Sequence, residues 1–79
     1  MEKKKFRWID ESINIDFEIP GKVLRNSIAA AEEADLEGNY EYFAHAQNID
    51  SDCKALVEAG RLTHKQWDLL CAKYREDVI

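Results

Sequence analysis

Two histidines, two cysteines and a run of carboxylates are the residues of this 79-residue chain with the chemistry to form a site, and their spacing limits what each can do. Glu41 and His45 stand four apart, which puts both on one helical face. A metal centre would need a second helix with a His-rich or carboxylate-rich partner motif, and none has recognisable ligand spacing. His64 follows directly on a helix cap, an ordinarily wet position. Asp35-x-Glu37-x-Asn39-x-Glu41 alternates oxygen donors like a calcium loop, but its glycine, Gly38, falls at the fourth position instead of the sixth, and position twelve is Ala46. Cys53 and Cys71 lie on inward faces without a C-x-x-C pair, so they read as small buried hydrophobes. With no G-x-S-x-G, no phosphate-cradling glycine loop and no convergent acid pair, the expectation is a protein that is not an enzyme and carries no metal or cofactor.

The carboxylates leave a different question open. Glu32, Glu33, Asp35, Glu37 and Glu41 gather around the first helix-to-helix turn. The first three approach a helix C-terminus, where the macrodipole disfavours negative charge by roughly a few tenths of a kcal/mol each. Glu37 and Glu41 partly answer this near the start of the next helix. The cluster is either a solvated acidic corner or a patch that receives a basic partner surface. Lys3, Lys4, Lys5 and Arg7 interleave with Phe6 and Trp8, which reads as a solubilising tail or as a grip on an acidic surface or nucleic acid. Phe6, Trp8 and Phe17 are the candidate aromatic anchors of a partner surface.

Positioning these residues falls to elements that the patterning makes visible. Residues 12–19 alternate polar and apolar, so Ile13, Ile15, Phe17 and Ile19 would line one face of a strand. Its partner would be Lys5–Ile9, joined through Asp10-Glu11-Ser12 as a hairpin, or the same strand of a second copy. The alternative is an extended arm whose apolar side chains lie on helices. Pro20 suits the first position of a helix that carries Val23, Leu24, Ile28, Ala31 and Asp35-Leu36 until Gly38 closes it, about 16 residues. Asn39 caps a second helix of about 20 residues, striped by Phe43, Ala46, Ile49, Cys53, Leu56 and Val57 up to Gly60. At the next corner, Gly60 suits a left-handed position, Thr63 and Gln66 have capping-box spacing, and Leu62 and Trp67 fall at the two positions of a hydrophobic staple. The third helix turns Trp67, Leu70, Cys71 and Tyr74 to one side and frays in Arg75 to Ile79.

These readings give one domain over residues 1–79, mainly α. A basic tail and β-strand or hairpin (1–19) precede a three-helix bundle (20–79). The net charge of −5 divides unevenly, with +3 in residues 1–8 and −8 in residues 9–79. An acidic body repels phosphate backbones and weighs against direct nucleic-acid binding. No apolar run approaches membrane-spanning length, and two cysteines are too few for a secreted disulfide framework, so a cytosolic protein is expected.

Leu56-x-x-x-Gly60-x-Leu62-Thr63-x-x-Gln66-Trp67 through Lys73-Tyr74 resembles the SHOCT type of short C-terminal helical hairpin, with Gln66-Trp67 where that family usually has an acidic residue and Phe or Tyr. Ala34-Asp35-Leu36-Glu37-Gly38-Asn39-Tyr40, taken with Gln66-Trp67-Asp68-x-x-Cys71-x-x-Tyr74, resembles a group of short proteins of gut Firmicutes often found with mobile elements. That resemblance implies a stand-alone accessory protein and brings no active residues. The functional expectation is a non-enzymatic module that binds another protein or a second copy of itself, through the strand edge or the acidic corner. The alternative is a nucleic-acid-related accessory protein, either an acidic DNA mimic or a helix-turn-helix-like binder.

Overall fold

Local end signals place all three helices. The computed structural model describes residues 6–76, with α1 at Lys22–Glu37, α2 at Glu41–Glu58 and α3 at His64–Lys73. α1 ends where Gly38 turns left-handed with φ 69°. The Gly38 amide reaches the Asp35 carbonyl at 2.9 Å and the Asn39 amide the Ala34 carbonyl at 2.8 Å, so two terminal carbonyls are satisfied in a Schellman arrangement. Gly60, with φ 74°, repeats this after α2 through bonds to Val57 and from Arg61 to Leu56. Tyr40, not the expected Asn39, is the N-cap of α2 and makes no side-chain cap bond, while Asn39 one residue earlier closes an Asx turn, its side-chain oxygen accepting the Glu41 amide at 2.9 Å. Thr63 and Gln66 form the reciprocal capping box, both bonds at 3.0 Å. Around that box Leu62 is buried and Trp67 is half-buried against the core, as a staple requires.

α2 is the central element, and α1 and α3 pack on it rather than on each other. α1 runs antiparallel to α2: Gly21 faces Leu56 near one end, and the Ser27 hydroxyl donates to Asp52 at 2.8 Å. Ala31, Ala34 and Ala46 are buried among Leu24, Tyr42, Ile49, Cys53, Leu62, Leu70 and Tyr74. On α1 the inward face reads Leu24, Ala31, Ala34 and Asp35, and Val23 lies off it, 66% exposed. Tyr42 on α2, outside the predicted stripe, is fully buried. None of the described helices is long and apolar enough to cross a membrane.

The expected N-terminal strand or hairpin is corrected here: residues 6–21 form an extended arm, and no strand occurs among the described residues. The alternation itself is real. Ile13, Ile15, Phe17 and Ile19 are half-buried, while Asn14, Asp16 and Glu18 between them are exposed. Alternation fixes which face turns inward but says nothing of where the backbone groups bond, and here the Ile13 and Ile19 carbonyls accept from Lys73 of α3 and Arg25 of α1. The Asp10-Glu11-Ser12 turn does form, with the Ile13 amide on the Asp10 carbonyl and the Ser12 amide on the Asp10 carboxylate at 2.9 Å. It redirects the arm instead of pairing two strands. Pro20 precedes α1 by two residues rather than opening it. Lys3, Lys4 and Lys5, and the part of the expected fraying that falls on residues 77–79, lie outside the described residues.

The α2–α3 corner makes a graded prediction. Thr63→Ala removes one half of the capping box and costs about 1 kcal/mol. Trp67→Ala empties half-buried aromatic space and strands Asp50, and costs about 3 kcal/mol. Urea midpoints of the two variants, compared with the parent at unchanged slope, check the ratio.

Candidate functional site

The carboxylates grouped by sequence separate into two environments. Asp35 has no exposed surface. Its side chain accepts the backbone N–H groups of Arg7, Trp8 and Ile9, the last two at 3.0 and 2.9 Å. Three successive amides converge on one carboxylate, an anion cradle filled from within the chain. Asp35 therefore belongs to the interior and is withdrawn from any partner-binding surface. Its place in the apolar stripe of α1, four residues after Ala31, was the sequence signal for this role.

Glu32 is half-buried and accepts the Tyr74 hydroxyl at 3.2 Å. Burial, then the Glu32 charge, then this bond push the Tyr74 hydroxyl pKa upward. Tyr42 is raised by burial first and by the Asp35 charge second, and its hydroxyl is buried without a hydrogen-bond partner among the described residues. The predicted aromatic anchors are also largely committed to the fold. Phe6, Trp8 and Phe17 pack against the core. The Trp8 ring lies 5.3 Å from Tyr42 and 5.0 Å from Phe43, centre to centre.

Glu33, Glu37 and Glu41 remain at the surface. They are exposed, and with Ala30, Asn39 and the half-buried His45 they line a shallow cleft of about 200 Å³ where α1 gives way to α2. Tyr40, missed by the sequence reading, stands at the same turn, 73% exposed, with its ring against Trp8 and Phe43. Arg7 brings its guanidinium to the same turn, where a Cβ on Gly38 would lie 3.0 Å from it. A cation there faces the carbonyl end of α1, where it is favoured.

The remaining candidates are structural. The Asp50 carboxylate accepts the Trp67 indole N–H at 2.8 Å and the Cys71 thiol at 3.4 Å, which joins α2 to α3. Burial pushes the Cys53 thiol up to about 12, helped by the charges of Asp50 and Asp52. Burial and the Asp50 bond bring Cys71 to about 12. Neither thiol is poised as a thiolate nucleophile. Glu41 and His45 do share a face, but among the described residues no group of three or more His, Cys, Asp or Glu side chains is placed to hold a metal ion.

Two outcomes follow from these environments. Asp35→Ala leaves three amides unmatched, one of them buried, and costs about 3 to 5 kcal/mol, whereas Asp35→Asn keeps one acceptor and costs roughly half as much. Thermal melts and limited proteolysis within residues 6–19 check both the loss and its location. Iodoacetamide labels Cys53 at mildly alkaline pH only at the rate of global unfolding, measured by mass spectrometry with and without denaturant. No family description, curated protein or solved structure matches this chain.

Proposed function

We propose that this chain is a small, non-enzymatic, cytosolic protein-interaction module whose acidic corner receives a basic partner surface. One observation carries the reading: Glu33, Glu37 and Glu41 are exposed and together line one cleft, and no hydrogen bond from another described side chain engages them. A solvated corner needs no such convergence. Tyr40 adds an exposed aromatic face beside them, suited to an arginine or lysine side chain by cation–π attraction. The arm is a poorer candidate. Its Trp8, Asp10 and Ile13 carbonyls are taken by Arg75 and Lys73, and its amides at 7–9 by Asp35, so much of the backbone between residues 7 and 13 is already engaged and poorly suited to strand addition.

Titration with a lysine- and arginine-rich peptide, followed by amide chemical shifts, is expected to perturb residues 33–45 with an affinity that falls as salt rises. Glu37→Lys with Glu41→Lys weakens binding about tenfold, at about 0.7 kcal/mol per exposed charge pair. Perturbations centred on α3, or an affinity indifferent to salt, would place the binding face elsewhere.

A further inference from the structure

The acidic corner has a counterpart on the same face of the molecule. At the other end of the α1–α2 seam, an open apolar groove of about 410 Å³ is lined by Gly21, Leu24, Ala55 and Leu56, with Lys22 and Arg61 at its edge. Val23, also in its lining, is one of two strongly exposed large hydrophobic residues among the described residues. Asp52 sits in this groove with its carboxylate engaged by Ser27. Positions 23, 30 and 37 recur every seven residues, so groove and corner share one face of α1. Positions 41, 45, 52 and 55 likewise share the adjoining face of α2. The seam thus has a cationic, apolar end and an anionic end, separated by the length of α1, about 24 Å.

We infer that this face binds a second copy of the chain across a two-fold axis, with the acidic end of one copy seated on the Lys22–Arg61 groove of the other. The inference rests on the acidic corner being a binding face, and it names the partner. A surface with opposite charges at its two ends is complementary to itself when a copy is turned end for end, which is the isologous contact of a two-fold dimer. Lys22 and Glu37 are equidistant from the Ala29–Ala30 pair. An axis there sets Lys22 opposite Glu37 of the second copy, and the small alanine side chains let the two helices approach closely. In the same register Val23, exposed in the single copy, falls opposite position 36 of the second copy, on the last turn of its α1.

The full chain is examined by sedimentation from micromolar to millimolar concentration, at low and high salt. The expected result is a mass that climbs to twice the monomer and stops there, with dimerisation weaker at high salt. Lys22→Glu with Arg61→Glu, and separately Glu37→Lys with Glu41→Lys, are exposed changes that leave the fold intact by circular dichroism. Each double variant alone is monomeric, and an equimolar mixture restores a one-to-one dimer. A chain that stays monomeric throughout, a mass that passes twice the monomer, or a dimer indifferent to the charge reversals overturns the inference. The Lys22→Glu, Arg61→Glu variant keeps the acidic corner intact, so its titration with the basic peptide tests the corner separately. Peptide binding without a wild-type dimer removes the second copy and leaves the corner.

Discussion

The fold depends on one buried carboxylate. α1 and α3 flank α2 without packing on each other, and the arm spans the space between them. Its amides at 7–9 go to Asp35 on α1, while its carbonyls at Trp8, Asp10 and Ile13 go to Arg75 and Lys73 at the end of α3. The Asp10 amide closes the circuit on the Lys73 carbonyl at 2.9 Å. Anion on one side and cations on the other match the two kinds of backbone group, so an extended segment is satisfied without a sheet. Burying a carboxylate costs several kcal/mol, and only near-complete matching of its oxygens offsets that. The three amides provide the matching, which is why the arm and Asp35 stabilise each other and neither is expendable.

Packing around this junction is economical in volume. Ala31, Ala34 and Ala46 are buried where α1 meets α2, and the space toward the arm is filled by Trp8, Tyr42 and Phe43. Rings bury large areas with few rotatable bonds, which suits a chain too short for a deep aliphatic core. The Tyr42 hydroxyl, buried and without a hydrogen-bond partner among the described residues, offsets part of that gain.

Legibility in the sequence followed the range of the interaction. Gly38, Gly60 and the Thr63–Gln66 pair act on neighbours within a few residues, and their roles were readable one by one. The half-burial of Ile13, Ile15, Phe17 and Ile19 was readable too, because period two reports a face. The arm's bonding was not, since a link between residues 7–9 and residue 35 leaves no local trace. For the same reason Asp35 was grouped with its acidic neighbours in sequence, although its position in an apolar stripe set it apart. Val23 and Tyr42 show the limit of stripe reading: Val23 was assigned to the first stripe and turns to solvent, Tyr42 was left out of the second and turns in, because a helix face about 100° wide does not say which of two neighbours is buried. The candidate site was legible as an acidic cluster, and only the backbone path divided it into one interior carboxylate and three at the surface.

That division bears on why the corner is acidic. Asp35 is required by the arm, and Glu32 by Tyr74. Glu33 and Glu37 are required by nothing within the described residues, and they stand at the C-terminal end of α1, where the helix dipole favours cations. Stability alone would place lysine or arginine there, as the approach of Arg7 to Gly38 illustrates. The opposite arrangement holds at the start of α1, where the first turn has no acidic residue and Lys22 and Arg61 edge the groove. Charge is thus set against the dipole at both ends of the same helix. A pattern unfavourable within one molecule, yet ordered along one face, is the feature that the proposed complementarity to a surface outside it would explain.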